Sequence, residues 1–304
     1  MNLQQIEYFV RVAELGSFTR AAAMLNVSQP TLSRHVSQLE LELRTHLMTR
    51  TGRGIELTEA GKSLLSYGNA ITELTRQATE EIQSLRDKPT GRLSVGLPPR
   101  VADVLTRGLV GFFRDELPSG TISITEGLSI ALREALILGQ VEIAILFDPQ
   151  PTAKLEFMSL FREDLVLCGQ PTRQLPLPKR LDATMLPRYP VVVPSMPHAN
   201  RQVIEAGLRP ANIQLKVVAE IDAVQSLVAL AQEGHAYAIV PRSATLRGVR
   251  EGTLKASTIA HPRLSINLVL AFSKARPLSR LARSTVEFMK GRSWEALLDK
   301  GHER

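Results

Sequence analysis

The stretch that decides the fold is SFTRAAAMLNVSQPTLSRHVSQLE, which runs from Ser17 to Glu40. It predicts two short helices joined by a tight turn, the form of a helix-turn-helix. Ser17 is placed to cap the first helix, which runs from about Phe18 to Leu25, and its three consecutive alanines let a second helix pack closely. Ser28 is placed to cap the next helix. A proline in the first turn of that helix costs little, because the missing N–H has no helical partner there.

The second helix has an apolar side and a polar side. Leu32, Val36, Leu39 and Leu43 recur at three- and four-residue spacing and predict a buried stripe. A duplex major groove admits one helix, whose Gln, Arg and hydroxyl groups contact base edges and phosphates. An ordinary helical hairpin with a solvated polar face has the same spacing. The candidates for DNA contact on this helix are Ser28, Gln29, Pro30, Thr31, Ser33 and Arg34.

The surrounding sequence narrows these alternatives. LQQIEYFVRVAELGSFTRAAAMLNVSQPTLSRHVSQLE, followed by LTEAG at Leu57 to Gly61, closely resembles the N-terminal signature of LysR-type transcriptional regulators. The resemblance implies a winged helix-turn-helix DNA-binding domain over residues 1–58, a linker helix for dimerisation over 59–89 and an effector-binding domain over 90–304. It also implies a homodimer or homotetramer that binds double-stranded promoter or operator DNA, with RNA polymerase as a further candidate partner.

A glycine-punctuated segment from His46 to Leu57 follows the second helix. It predicts a β-hairpin, which would be the wing of the DNA-binding domain. Arg50 and Arg53 are candidate contacts to phosphates, since guanidinium groups bind phosphate oxygens. The alternative is a polar loop whose arginines only keep the segment solvated.

A long helix is predicted from Thr58, its candidate cap, to about Leu85. Leu64, Ile71, Ala78 and Leu85 recur every seven residues, and a heptad seam indicates a partner helix. We expect this helix to pair with its twin in a second copy of the chain. The alternative is that the seam docks onto the second domain of the same chain.

Beyond the helix breaker at residues 87–91, short β-rich runs alternate with helical ones. This rhythm predicts a mostly parallel sheet with helices on its faces. Two linked α/β units of this kind resemble the effector domain of the LysR family, which is itself like a periplasmic solute-binding protein with a cleft between two subdomains. The resemblance implies one subdomain over about 91–163 plus 268–304 and another over 164–267. Its crossing strands would lie near Glu163 to Val166 and Ser265 to Val269.

Ligands of such sheets lie beyond the carboxyl ends of the strands, where helix N-termini attract anions. The sequence therefore predicts a cleft for a small, anionic effector. Relatives often have a hydroxyl residue where Arg100 stands, and the arginine would either hold a carboxylate through two hydrogen bonds or fill the cleft and make regulation ligand-independent. The candidate effector residues are Pro99, Arg100, Ser129, Pro197, His198 and Asn200.

The composition limits the classes of protein to which this chain can belong. The 304 residues are 44% hydrophobic, which is enough for a sizeable core, and contain one cysteine, so no disulfide forms within the chain. We find no secretory signal in MNLQQIEYF and no apolar run of about 18 residues, so we expect a cytoplasmic protein without a membrane partner. The net charge is +7, but residues 1–90 carry ten basic and ten acidic side chains, so charge alone does not predict DNA binding.

The sequence gives little support for an enzymatic site. Cys168 lies in the apolar run LVLC, where a cysteine is normally a small buried hydrophobe. AGKS at residues 60–63 lacks the preceding glycine and strand of a phosphate-binding loop. No GxSxG, HExxH or clustered Cys/His spacing occurs, so we expect no catalytic residues, metal or cofactor. A plain solute-binding module would explain residues 91–304 but leave the first ninety without a role.

Overall fold

The structure is a computed structural model that describes residues 1–51, 54–84 and 89–300. The chain divides into two compact units. One consists of Met1–Lys88 with Ile137–Gln140, and the other of Pro89–Leu136 with Val141–Arg304. Among the described residues, no helix combines the length and the apolar character that crossing a membrane requires.

The first unit consists of helices around a small core, followed by a two-stranded hairpin and a long helix. Its elements are α1 (Leu3–Leu15), α2 (Phe18–Leu25), α3 (Gln29–Leu43), β1 (Met48–Thr51), β2 (Gly54–Leu57) and α4 (Glu59–Ser84). Phe9, Leu32 and Leu39 are fully buried in its core. Gly16 and Asn26 end α1 and α2 in the left-handed region, with φ of 61° and 54°, which turns the chain sharply at both junctions.

Two details of the predicted helix packing are wrong. Leu43 does not continue the buried stripe of α3, because the helix ends there and the side chain is 38% exposed. Arg44 then adopts φ of 52°, so the chain leaves the helix axis directly after Leu43. Ala21 and Ala22 are buried as expected, whereas Ala23 points to solvent.

The second unit is a mixed α/β fold. Its elements are β3 (Gly91–Leu97), α5 (Pro99–Glu116), β4 (Gly120–Glu126), α6 (Ser129–Ile137), β5 (Ile143–Phe147), β6 (Leu155–Gly169), β7 (Arg180–Asp182), β8 (Pro190–Val193), α7 (Ala199–Leu208), β9 (Lys216–Glu220), α8 (Val224–Gln232), β10 (Tyr237–Pro241), α9 (Leu246–Arg250), β11 (Lys255–Ala260), β12 (Ser265–Ser273), α10 (Arg280–Lys290) and α11 (Trp294–Lys300).

Strand β6 belongs to both halves of this unit. Its first part, up to Asp164, pairs antiparallel with β12 in a sheet of order β4-β3-β5-β12-β6. From Leu165 onward it pairs with β10 and β11, in a sheet that continues through β8 to β9. The β3–β4, β3–β5 and β8–β9 pairs are parallel, so each half keeps the predicted βαβ character. The fold class expected from the sequence, a helix-turn-helix unit followed by a two-part α/β unit, is confirmed.

Several elements are absent from the sequence prediction. The first part of β6 reads LEFMSLFRED and lacks both a continuous apolar run and a clean alternation, so its strand character depends on pairing with β12 about a hundred residues later. Strand β11 and the short helices α9 and α11 are too brief or too polar to give a period.

Candidate DNA-binding surface and effector cleft

Helix α3 offers its polar first turns to solvent. The Ser28 hydroxyl accepts a hydrogen bond from the backbone N–H of Thr31 at 3.2 Å and lies 2.7 Å from the Thr31 hydroxyl. The hydroxyl of Thr19 on α2 donates to the side-chain oxygen of Gln29 at 3.3 Å, which leaves the amide nitrogen of Gln29 as the donor. These contacts hold the start of α3 in a defined geometry on the unit.

The predicted DNA-contacting residues of α3 lie together. Ser28, Gln29, Pro30, Thr31 and Arg34 are exposed, and Ser33 is half-buried at the margin of the same face. Within the described part of the chain, the guanidinium of Arg34 has no hydrogen-bond or ion-pair partner. This guanidinium, beside hydroxyl and amide groups, complements the hydrogen-bond donors and acceptors that base edges present in a major groove.

The predicted hairpin is present as β1 and β2, in antiparallel register with Met48 opposite Leu57. Glu40 on α3 fixes its start, since one carboxylate oxygen accepts from the N–H groups of Leu47 at 2.7 Å and Met48 at 3.3 Å. Arg50 lies on β1, and Arg53 lies outside the described residues. The hairpin is therefore anchored to the helix that carries the polar face.

Helix α4 begins where the sequence predicts. The Thr58 hydroxyl accepts from the N–H of Gly61 at 3.0 Å and donates to the carbonyl of His46 at 2.7 Å. A side chain at Gly61 would place its Cβ 1.9 Å from the carbonyl oxygen of Leu47, so only glycine allows this close approach. Gly68 has a similar role, because a Cβ there would lie 2.6 Å from a methyl group of Val10 on α1.

The heptad seam of α4 is divided. Leu64 and Ile71 pack against the core of the first unit. Farther along, Leu74 is 40% and Ile82 is 68% exposed, and Ala78 is also exposed. Leu85, the last predicted seam residue, lies outside the described residues. The second half of the helix thus presents an apolar stripe that its own unit does not cover.

A cleft of about 300 Å³ lies between the two halves of the second unit. Four helices begin at its wall: α5 at Pro99, α6 at Ser129, α7 at Ala199 and α8 at Val224. Each helix start brings backbone N–H groups and a partial positive charge, so their convergence favours an anion. We call this space the front cleft.

The structure brings five of the six predicted effector residues into the wall of the front cleft. They are Pro99, Arg100, Ser129, His198 and Asn200. Pro197 instead lines a neighbouring space of about 60 Å³, which Ser129 also contacts. The wall also includes Phe147, Pro241 and the turn from Asp222 to Gln225, which the sequence did not predict. That turn follows strand β9, so the expectation that ligands lie beyond the carboxyl ends of strands applies to it. Its helix cap, however, is Ala223, which has no polar side chain to mark the site in the sequence.

Arg100 is buried in this wall with 7% of its surface exposed. Its Nη1 donates to the Glu163 carboxylate at 3.1 Å, and the other oxygen of Glu163 accepts from Ser243. Nε and Nη2 of Arg100 are buried and have no hydrogen-bond partner among the described residues. Arg100 therefore forms only one hydrogen bond to a protein carboxylate, and the front cleft stays open beside it.

The side chains of Ser129 and His198 already accept hydrogen bonds from the backbone. The Ser129 hydroxyl accepts from the N–H of Phe147 at 2.9 Å, and Nδ1 of His198 accepts from the N–H of Asn200 at 3.1 Å. Burial lowers the pKa of His198, and the nearby Asp222 carboxylate only partly opposes that shift. The imidazole is thus a neutral cap for α7 at neutral pH.

The second unit shows no feature of an acyl-transfer or metal site in its described residues. Cys168 is fully buried in β6, and burial raises the pKa of its thiol to about 12, so it is inert as a nucleophile. In the part of the chain that the structure describes, no group of three or more His, Cys, Asp or Glu side chains is placed to hold a metal ion.

Comparisons with known proteins agree with this architecture. Residues 3–62 match the family "Bacterial regulatory helix-turn-helix protein, lysR family", and residues 86–294 match the "LysR substrate binding domain". The nitrogen assimilation regulatory protein nac of Klebsiella aerogenes is 32% identical over 292 residues, which cover 95% of this chain and 94% of that protein.

Solved structures share the fold. A variant of full-length OxyR from Pseudomonas aeruginosa superposes with a TM-score of 0.74 at 20% identity, covering 98% of this chain and 94% of that one. Full-length CbnR complexed with its target DNA gives a TM-score of 0.62 at 24% identity, covering 95% and 99%. The relatives are transcriptional regulators, so the expectation of a regulator and not an enzyme is confirmed. This chain belongs to the LysR family of DNA-binding transcriptional regulators.

Proposed function

We propose that this LysR-family regulator reads its operator through the exposed start of α3 and senses a small carboxylate in the front cleft. Gln29, Thr31, Ser33 and Arg34 contact base edges, and Pro30 packs beside them. Ser28, Arg50 and Arg53 bind the DNA backbone. The observation that carries the DNA contacts is the exposed guanidinium of Arg34, unpaired among the described residues, in the same turns as Gln29 and Thr31. The CbnR structure with target DNA supports duplex binding by this fold.

Base reading and phosphate binding differ in a measurable way. Arg34→Ala should lower the affinity for the operator more than the affinity for random duplex, because a base contact is lost. Arg53→Ala should weaken both affinities alike and flatten the dependence of binding on salt, since a phosphate contact is lost. Arg173→Ala, an exposed arginine of the second unit, is the matched control and should change neither. An equal loss of both affinities in Arg34→Ala would remove Arg34 from the base-reading set.

The effector proposal is supported by charge and space. Four helix N-termini line a cleft of about 300 Å³, and the buried Arg100 also lies in its wall. Anionic ligands gain most from such a wall, because the donors are already oriented and desolvated. The open volume beside Arg100 favours ligand sensing over the alternative in which the arginine fills the cleft and makes regulation independent of a ligand.

A thermal-shift screen tests the effector class. Small carboxylates should raise the unfolding midpoint of the wild-type protein, whereas amides and alcohols of the same size should not. Arg100→Ser should remove most of the carboxylate response. If no carboxylate shifts the midpoint of either protein, the cleft has a structural role only.

We also propose that α4 pairs two copies of the chain and that two such dimers form a tetramer. Tyr67, Leu74 and Ile82 are exposed large hydrophobic residues on this helix, which supports a missing partner. Leu74→Glu should shift the mass measured by light scattering toward the monomer. Val249→Glu, at a residue of similar exposure on α9, is the control and should leave the mass unchanged.

The remaining assignments are broader. The division into residues 1–58, 59–89 and 90–304 separates DNA binding, pairing and sensing. The regulator works in the cytoplasm and acts on RNA polymerase at promoters, because transcriptional control requires the polymerase to start or fail to start at the bound site. Transcription in vitro with purified polymerase, with and without the carboxylate found by the screen, tests the polymerase partner.

A further inference from the structure

Asn200 is buried in the wall of the front cleft, but its side-chain amide is unpaired. Only 3% of the residue is exposed, and neither amide atom has a hydrogen-bond partner among the described residues. A buried amide without a partner costs free energy until a water molecule or a ligand satisfies it. Within the described part of the chain, the amide therefore holds no part of the fold in place.

Both amide atoms of Asn200 remain accessible. Among the described residues, the buried side-chain atoms that are both shielded from solvent and unpaired belong to His35, Arg100 and Arg133. The amide of Asn200 is unpaired but is not one of these shielded groups, so its oxygen and its nitrogen still meet open space. Because Asn200 lines the front cleft and is otherwise buried, that open space is the cleft.

His198, two residues earlier, presents a hydrogen-bond donor at the same place. Its Nδ1 accepts from the N–H of Asn200 at 3.1 Å, and burial lowers the pKa of the ring, so the neutral imidazole carries its proton on Nε2. Nε2 has no hydrogen-bond partner among the described residues, and His198 also lines the front cleft. The ring therefore offers an unpaired N–H donor in the cleft wall.

Asp222 lies close to His198 and supplies an acceptor. Its Oδ1 accepts from the N–H of Ser195 at 3.1 Å and from the Ser195 hydroxyl. These hydrogen bonds lower the pKa of the carboxyl group, so it is ionised at neutral pH. Its Oδ2 has no hydrogen-bond partner among the described residues, and Asp222 lines the front cleft. We call His198, Asn200 and Asp222 the polar corner.

The rest of the wall has a different character where it comes from the other half of the unit. That part consists of Pro98–Arg100, Leu128–Ser129 and Phe147, and it contains no Asp or Glu. Helices α5 and α6 begin there, and the Ser129 hydroxyl, which accepts from the N–H of Phe147, keeps its own proton to donate. This part of the wall favours a carboxylate, because it offers donors and partial positive charge without an acidic side chain.

We infer that the polar corner binds a hydroxyl group, so that the effector is a hydroxylated carboxylate. A hydroxyl both donates and accepts, as the mixture of acceptors and N–H donors in the polar corner requires. A second carboxylate would be repelled by Asp222, and an ammonium group would be attracted by Asp222 but could accept neither N–H donor. The carboxylate of the effector lies at the starts of α5 and α6. This inference deepens the proposed sensing of a carboxylate and rests on it.

Titration calorimetry with matched probes tests the inference. Butyrate is compared with its 2-, 3- and 4-hydroxy derivatives, with 4-aminobutyrate and with succinate, and benzoate is compared with its three monohydroxy derivatives. We expect at least one hydroxylated probe to bind about ten-fold or more tightly than its parent, because only that probe satisfies the buried polar groups. Succinate and 4-aminobutyrate should bind no more tightly than butyrate. A gain for either of them that equals the best gain of a hydroxylated probe would overturn the inference.

Asn200→Leu separates a ligand contact from a structural role. It removes the amide at nearly constant volume, so the best hydroxylated probe should bind within about three-fold of its parent, while the affinity for the parent stays within about two-fold. The unfolding midpoint without ligand should stay equal or rise, because a buried unpaired amide is removed. A lower midpoint with an unchanged preference for the hydroxylated probe would assign Asn200 a structural role and overturn the inference.

Asn267→Leu is the matched control for this substitution. The amide nitrogen of Asn267 donates to the Asp148 carboxylate at 2.8 Å, so its loss should lower the unfolding midpoint. Asn267 is not part of the wall of the front cleft, and the preference for the hydroxylated probe should stay unchanged. The two asparagines should therefore give opposite results in both measurements.

Asp222→Asn tests the charge of the polar corner and also decides the question if Asn200→Leu does not fold. The variant keeps an oxygen for Ser195 but removes the negative charge. Succinate should gain about three-fold or more in affinity relative to butyrate, because like charges no longer meet. An unchanged ratio of the two affinities would show that Asp222 does not face the ligand and would overturn the polar corner.

The outcomes separate this inference from the proposed function. Binding of butyrate or benzoate, with no gain for any hydroxylated probe, overturns the polar corner and leaves carboxylate sensing intact. Failure of every probe to bind overturns both.

Discussion

Nη1 of Arg100 lies 3.1 Å from a carboxylate oxygen of Glu163, and both side chains are more than nine-tenths buried. The second oxygen of Glu163 accepts from the Ser243 N–H at 3.1 Å and from its hydroxyl at 2.5 Å. Glu163 therefore connects α5, β6 and the segment after β10, at the point where β6 passes between the two sheets.

Glu163→Gln should destabilise the second unit by about 3–5 kcal/mol, because it leaves a buried arginine without a counter-charge. Urea unfolding followed by tryptophan fluorescence measures the loss at Trp294, the single tryptophan of the chain. The double variant Arg100→Gln with Glu163→Gln is the control and should recover most of the stability, since no unpaired charge remains. Equal stability of the single and double variants would contradict this account of the pair.

Gly61→Ala should destabilise the first unit by about 1–3 kcal/mol, which is the usual cost of overpacking. The added methyl would meet the Leu47 carbonyl at 1.9 Å, and a backbone atom cannot move away as a side chain can. Gly111→Ala on α5 is the matched control, because its methyl would meet no atom within 4 Å. It should stabilise the chain by about 0.5–1 kcal/mol, since alanine is the better helix former. The same sign for both variants would refute the close-approach argument.

Ser28→Ala should cost about 1 kcal/mol, because the N–H of Thr31 loses its side-chain acceptor at the start of α3. Ser28→Asp should keep the cap and most of the stability. Thermal unfolding of the isolated variants without DNA measures the effect apart from any DNA contact. A Ser28→Ala midpoint equal to the wild type would show that the cap contributes nothing.

His198 should make stability fall at acid pH. Burial lowers the pKa of the folded imidazole below its ordinary value of 6.5, so below pH 6.5 the unfolded chain binds a proton that the folded chain resists. The contribution is thus fully present above pH 6.5 and is lost as the pH falls through the lowered pKa. His198→Asn retains a side-chain acceptor for the N–H of Asn200 but does not titrate. The stability difference between wild type and His198→Asn, measured at pH 8 and pH 5, should move in favour of the variant at pH 5.

The helix-turn-helix could be predicted closely because its signals are local. Ser17 and Ser28 cap the helices that they precede, and the spacing of Leu32, Val36 and Leu39 reports the buried face directly. Only at Leu43 did the periodic pattern mislead, because the helix ends before its side chain reaches the core. Sequence signals that lie within three or four residues of each other can be interpreted without knowledge of the fold.

The cleft could be predicted only in part. Arg100, Ser129, His198 and Asn200 could be predicted as cleft residues, because each follows a recognisable strand and ligands lie beyond strand ends. The partner of Arg100 lies 63 residues away, and nothing in the sequence near Glu163 marks it as that partner.

The sharing of β6 between two sheets has a consequence for how the second unit melts. A single 15-residue strand contributes backbone hydrogen bonds to β12 on one side of Asp164 and to β10 and β11 on the other. Because one strand belongs to both ladders, unfolding of either half should disturb the ladder of the other, so we expect both halves to lose their slow amide-exchange protection together. We therefore expect any movement of one half against the other to be a rotation about this intact strand and not a partial unfolding.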